Sequence, residues 1–263
     1  MTNLGIEIAP CGLEDRAEWD GYIESSSTAT VCHRFLWQSV IGRAYGHRSF
    51  YLLARQNGRV KGVLPLVLVK SRVFGKSLSS MPFLDYGGPC ADDEQTRQLL
   101  FEGAQELLQG HGADYLEIRQ ALPPTSAGAL RLDKVAMRLD LSPGTEAVWN
   151  SFPTKIRNHV RKAEKSGLRA YVGGAEWVDD FYPVFAANMR DLGSPVHHRS
   201  FFTHMFSEFG PQASLIVARD GERTVGGLVC LFFKDTATVF WASSLREYFS
   251  RCPNNLLYWQ ALQ

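Results

Sequence analysis

The sequence predicts an α/β chain made of two copies of one domain, each a helix followed by an antiparallel meander of strands. Two observations carry this. Residues 35–70 lie without a gap on residues 199–234 at an offset of 164, pairing Gly46 with Gly210, Ala54-Arg55 with Ala218-Arg219, Arg59 with Arg223, Gly62 with Gly226, Leu64 with Leu228 and Lys70 with Lys234. Both stretches also switch from helical to strand periodicity at the same place. A repeat this long cannot be a solenoid unit and implies two domains side by side.

Element by element, each copy opens with apolar residues at helical spacing: Phe35, Leu36, Val40 and Ala44 in the first, Phe201, Met205, Phe206 and Phe209 in the second. A glycine stops each helix, Gly46 and Gly210, as a C-cap glycine does. Short β-rich runs follow at 51–55 and 215–219, then the polar turns Gln56-Asn57-Gly58 and Asp220-Gly221-Glu222, then longer apolar runs at 62–69 and 226–233. That order is a hairpin signal. The first copy continues into an amphipathic helix over 92–109 and a strand over 115–118. In the second copy residues 254–263 read as the first turns of that helix, with Leu256, Leu257 and Ala261 apolar, so this copy is expected to lack its last strands. The segment 121–130, with Pro123, Pro124, Thr125, Ser126 and Gly128, reads as the linker between domains at 1–125 and 131–263.

Composition excludes several function classes. Of 263 residues, 45% are apolar and 21% charged, the balance of a packed globular chain, and 28 Lys and Arg against 27 Asp and Glu leave a net charge of +1. Such a chain has no global basic field for DNA, so any anion site is local. Cys11, Cys32, Cys90, Cys230 and Cys252 form no CxxC pair, and no histidines stand at zinc-finger spacing; a reduced, metal-free chain is expected. Residues 1–10 show no leader pattern, and the apolar runs fall far short of the roughly 18 residues of a membrane span. A cytoplasmic protein without a membrane span is the expectation. Nucleophile elbows, Walker loops, GxGxxG and HExxH are missing from the sequence, which withdraws support from hydrolase, kinase and dehydrogenase readings.

The candidate chemistry lies mostly in the second copy. Residues 153–168 read as a helix opened by Pro153 and closed by Gly167, on which Arg157, Arg161 and Lys165 share a stripe flanked by Lys155 and Lys162, with Glu164 the one acid. This face is either a solvated helix surface or a phosphate site built on bidentate arginine contacts. Residues 181–195 read as a helix ending in Asn188, Arg190 and Asp191; the last pair is a buried clamp, a substrate contact or a helix end cap. His197 and His198 follow, and as chain neighbours they point to opposite sides. Two loops, Asp85 to Pro89 and Arg246 to Arg251, are expected at equivalent places. In the first copy Asp92, Asp93 and Glu94 fill the helix N-terminus; in the second, Pro253-Asn254-Asn255 leaves the N–H groups open to an anion.

Several of these segments together resemble the FemAB-related family: residues 155–168 (KIRNHVRKAEKSGL), 188–195 (NMRDLGSP), 80–89 (SMPFLDYGGP) and 241–259 (WASSLREYFSRCPNNLLYW). Within it, they are similar to the FemAB-like proteins associated with exosortase/PEP-CTERM exopolysaccharide systems. The resemblance implies two tandem GNAT (N-acetyltransferase) domains, each a mixed, mainly antiparallel sheet flanked by helices. It implies transfer of an acyl or aminoacyl group to an amine of a cell-envelope or exopolysaccharide precursor, from acyl-CoA or from aminoacyl-tRNA as co-substrate, with no tightly bound cofactor. A non-catalytic GNAT pair that holds a glycan or peptide precursor is the alternative. In the second copy the pyrophosphate loop Arg/Gln-x-x-Gly-x-Gly/Ala does not occur. Asp191 is the expected proton acceptor; Lys155, Arg157, Arg161, Lys162, Arg190, Asp85, Tyr86, Trp241, Ser243, Asn254, Asn255 and Tyr258 are the expected substrate contacts.

Overall fold

The computed structural model describes residues 5–71, 75–120, 128–130 and 135–263. Most of the expected linker, residues 121–127, lies outside the described residues. The chain divides into two compact units, Met1–Ala129 and Leu130–Gln263.

The first unit runs β1 (Ile6–Pro10), α1 (Arg16–Ser25), α2 (Trp37–Tyr45), β2 (Arg48–Ser49), β3 (Leu52–Gln56), β4 (Arg59–Leu64), β5 (Val67–Ser71), β6 (Gly75–Ser79), β7 (Cys90–Ala91), α3 (Glu94–Gly110) and β8 (Tyr115–Glu117). It holds two sheets, β1-β3-β4-β7 and β2-β5-β6-β8, antiparallel except for the parallel pair β6 and β8. Leu52, Ala54, Leu64, Leu66, Leu100 and Ala104 form its core under α3.

The second unit runs α4 (Thr145–Ser151), α5 (Thr154–Lys165), β9 (Leu168–Gly173), α6 (Val178–Asp191), α7 (Arg199–Phe209), β10 (Ala213–Asp220), β11 (Arg223–Phe233), β12 (Thr236–Ser244) and α8 (Pro253–Leu262). Among the described residues its strands form one sheet, in the order β12-β11-β10-β9, antiparallel throughout. Ile216, Ala218, Val225, Leu228, Leu256 and Leu257 pack on one face of it.

The repeat holds at the level of strand register. Leu52 pairs Leu64 and Ile216 pairs Leu228; Arg55 pairs Val60 and Arg219 pairs Thr224; the two hairpins carry a bulge between Ala54 and Arg55 and between Ala218 and Arg219. Bulges of this kind set twist and register, so sharing one at equivalent positions ties the copies closely. The repeat also reaches further upstream than the sequence shows. Ile6 faces Gln56 as Leu168 faces Asp220, and the short 3-10 turns Leu13–Asp15 and Ala175–Trp177 lead into α1 and α6.

The copies part company after the shared hairpin. Pro65, which has no N–H for a ladder, stands where β4 ends and the chain crosses into a second sheet. Val229 takes that place in the second copy, and β11 runs on to Phe233 with a bulge at Val229/Cys230.

Candidate functional site

Helix α5 carries the cationic face. Gly167, at φ +89°, takes the left-handed turn that returns the chain into β9. Along the helix Ile156, Val160 and Ala163 recur at four and three residues, and the last two are buried. Lys155, Arg161, Lys162 and Lys165 are exposed, whereas Arg157 is half-buried and its Nε is enclosed without a hydrogen-bond partner.

Helix α8 lies against α5. Cys252 enters it in the left-handed region at φ +58°, and no side chain caps its first turn. Leu256 and Leu257 turn into the core. Asn254, Asn255, Tyr258, Trp259 and Leu262 face α5, and with Phe152, Ile156 and Val160 they line a groove of about 150 Å³. Trp149 packs on Trp259 with ring centroids 4.5 Å apart, and the Arg161 guanidinium lies 5.5 Å over the Trp149 ring. The groove thus has aromatic walls, two amides and, beside Trp149, the Arg161 guanidinium. Burial pushes the Tyr258 phenol above its ordinary value, which keeps it protonated at neutral pH.

The expected substrate contacts on β12 and α8 are divided between the two faces of the sheet. Trp241 and Ser243 point toward α6 and α7: Trp241 is 8% exposed, with ring centroids 5.4 Å from Phe201 and 5.5 Å from Phe202, and Ser243 accepts a 3.1 Å hydrogen bond from Asn188. Ser244 points the other way and donates to Asn254 Oδ1 at 2.6 Å. Strand alternation is the cause, since neighbours on β12 must face opposite sides. Asn254, Asn255 and Tyr258 stay together in the groove, without Trp241 or Ser243.

Of the alternatives for Arg190 and Asp191, the buried clamp is not what the structure has: they pair with one another at 3.0 Å at the exposed end of α6. Arg251 is already engaged, bonding both Asp220 oxygens at 2.6 and 2.9 Å and the Oγ and carbonyl of Ser166. It therefore ties the β10–β11 turn to the end of α5, and its guanidinium draws the Asp220 carboxyl below its usual range. The two loops thought equivalent are not. Gly62 pairs Ala91 and Gly226 pairs Ser244, so Asp85 to Pro89 precedes its strand while Arg246 to Arg251 follows its own.

In the first unit Asp93 Oδ1 accepts the Thr96 amide at 2.7 Å, filling the α3 N-terminus with the chain's own carboxylate. Asp85 is exposed there, and the Tyr86 carbonyl accepts the Thr30 hydroxyl at 3.0 Å. His197 and His198 do separate work. His198 caps α7 through the Ser200 amide, and His197 lies among Phe185, Phe201, Phe202 and Trp241, where burial lowers its pKa to about 4.

Sequence reasoning missed Trp149, Phe152, Ile156, Trp259 and Leu262. The signal was present in the apolar stripe of α5, which a strongly cationic helix needs to bury against something. All five cysteines are free, and among the described residues no cluster of His, Cys, Asp and Glu stands ready for a metal. No described helix is long and apolar enough to cross a membrane.

Residues 150–263 match a family model described as an acetyltransferase (GNAT) domain. No curated protein matches the sequence. Among solved structures, FemX superposes with a TM-score of 0.69 at 13% identity, over 97% of this chain and 85% of that one. A tandem GNAT protein from the clavulanic acid biosynthesis pathway gives 0.52 at 13% identity, over 98% and 84%. A conserved protein of unknown function from Bacteroides thetaiotaomicron gives 0.57 at 8% identity, over 98% and 86%. The fold is therefore mixed α/β with tandem GNAT-like domains whose mainly antiparallel sheets are flanked by helices, and the match over 150–263 supports an acyltransferase.

Proposed function

We propose that this protein is an N-acyltransferase that carries an acyl or aminoacyl group from aminoacyl-tRNA or acyl-CoA to an amine of a cell-envelope or exopolysaccharide precursor. One observation carries the reading: the acetyltransferase (GNAT) match spans residues 150–263, the stretch that contains α5, α8 and the groove between them. The likeness to FemX along nearly the whole chain supports the tandem arrangement the reading needs.

In the reaction the neutral amine nitrogen attacks the acyl carbonyl carbon. The new C–N bond forms, negative charge gathers on the carbonyl oxygen, and collapse breaks the ester C–O or thioester C–S bond. The proton released from nitrogen ends on the departing oxygen or sulfur, directly or through solvent. An amine near pKa 8 is partly protonated at neutrality, so a proton must leave before attack. Lys155, Arg157, Arg161 and Lys162 hold donor phosphate, Asn254, Asn255 and Tyr258 line the bound group, and the neutral phenol of Tyr258 is a proton donor. Asp191 drops out of this reading because it is engaged by Arg190 at an exposed helix end.

A non-catalytic module for a glycan or peptide precursor is the second reading. It is favoured by the groove lining, which holds neither carboxylate nor imidazole. Incubating the full chain with acyl-CoAs or aminoacyl-tRNAs and amine-bearing UDP-linked precursors, with products read by mass spectrometry, separates the two. Transfer is expected, with Arg161→Ala raising the donor KM while kcat and melting stay unchanged. A precursor that raises Tm without any transfer supports the binding module and ends the enzyme reading.

A further inference from the structure

A second cleft, of about 360 Å³, opens in the second unit between the first turns of α6 and the beginning of β11, and none of the residues assigned to acyl transfer borders it. Thr224 reaches it because of the bulge in the β10–β11 hairpin. Arg219 pairs Thr224 and Ala218 pairs Gly226, so Val225 is the extra residue. Val225 shares the core of Leu256 and Leu257, and a Cβ on Gly226 would meet Leu257; both therefore face α8, which leaves Thr224 on the α6 side. Thr224 is 9% exposed, and its hydroxyl is enclosed with no hydrogen-bond partner among the described residues. A buried hydroxyl without a partner is unfavourable. The repeat does not demand one, since Val60 stands at the equivalent place in the first copy.

The charges around the cleft pair off with one left over. Asp179 pairs with Arg199 and Arg223 with Glu247, whereas Asp180 has no partner among the described residues. Acids in the first turn of a helix serve its dipole, which accounts for the two aspartates but for neither the cleft nor the orphan hydroxyl. Pro183 supplies a further acceptor. It stands inside α6 without an N–H, so the Asp179 carbonyl four residues back lacks its regular helical donor. A carboxylate, a hydroxyl oxygen and a carbonyl match the three donors of an ammonium group, which accepts no hydrogen bond. One uncompensated carboxylate balances a monocation and falls short of a hard dication, which takes six or more oxygens. Val184 and Leu245 offer apolar surface for a carbon chain beside the charge.

We propose that this cleft binds an aliphatic primary amine in its protonated form, with the ammonium on Asp180, Thr224 and the Asp179 carbonyl and the carbon chain along Val184 and Leu245. A neighbouring carboxylate keeps such an amine charged, and a charged amine has no lone pair with which to attack an acyl carbon. The cleft is therefore a binding site and not the place of transfer. It uses none of the residues on which the acyltransferase reading depends.

The test titrates the full ¹⁵N-labelled chain at pH 7 with pentylamine, pentan-1-ol and pentyltrimethylammonium, following backbone amide shifts. Pentylamine is expected to move the Thr224 and Val184 amides saturably, and both comparison compounds to bind more weakly, the alcohol for want of charge and the quaternary ion for want of N–H donors. Asp180→Asn should weaken pentylamine about ten-fold or more, the range of a hydrogen bond to a charged group. Thr224→Val puts the first copy's residue in place; it should weaken pentylamine by about five-fold without lowering Tm, since it removes an unsatisfied hydroxyl. Absence of saturable shifts at Thr224 and Val184 overturns the proposal. So does equal affinity for pentylamine and pentyltrimethylammonium, which would leave a diffuse charge effect only, or unchanged affinity in Asp180→Asn. Because no turnover is measured, a chain that transfers acyl groups yet ignores pentylamine refutes the cleft and keeps the enzyme.

Discussion

Acidification should loosen the second unit through His197. Its ring is enclosed by Phe185, Phe201, Phe202 and Trp241, and burial lowers its pKa from 6.5 to about 4. The unfolded chain then takes up this proton at a higher pH than the folded one. The contribution to stability is complete above about pH 6.5, declines as the pH falls toward 4, and is constant below that. At 1.36 kcal/mol for each pH unit, the displacement amounts to about 3 kcal/mol as an upper figure. The measurement is urea unfolding of the wild type and of His197→Phe from pH 7 to 4, monitored by near-ultraviolet circular dichroism. Carboxylates titrate in both proteins, so the wild type should lose more stability than the variant by up to that amount, chiefly between pH 6.5 and 4. Parallel stability curves would refute the argument, for they would mean that His197 carries its proton as readily inside the fold as outside it.

Other substitutions test the architecture. Gly227→Ala should destabilise by about 1–3 kcal/mol, because its Cβ would collide with the buried Phe181 ring, and Phe181→Leu in the same chain should recover part of the loss in a double-mutant cycle. Asp93→Ala removes the α3 cap and should cost about 1 kcal/mol, read by urea unfolding of the first unit, whereas Asp93→Asn should cost much less. Arg251→Ala releases both the β10–β11 turn and the end of α5, and faster amide exchange at Ser166 and Asp220 should report it; unchanged exchange would show that the tie is idle in solution.

Much of the fold was legible because its signals are local. Glycines at 46 and 210, turns at 56–58 and 220–222, and apolar runs at matching distances place a helix and a hairpin in each copy, and the structure has them with one register. The upstream part of the repeat escaped notice. Pairing β1 and β9 to their partners requires an offset two residues shorter, and the residues there share pattern rather than identity.

At the site, the cationic face of α5 and the open first turn of α8 were visible from residue type and spacing. The partners that decide what they do were not. Whether Arg251 meets an anion or Asp220 depends on a turn 31 residues away, and whether Ser243 or Ser244 reaches the α8 side depends on the phase of β12. The groove itself needs Ile156 and Tyr258 to come together from helices that the whole sheet separates along the chain. Caps, turns and periodicity act within a few residues of the chain, so the repeated helix-and-hairpin plan is written in residue order. Which cations are engaged, which strand face each side chain takes and where the aromatic groove opens depend on contacts between segments far apart in the chain, and these emerge with the packed fold.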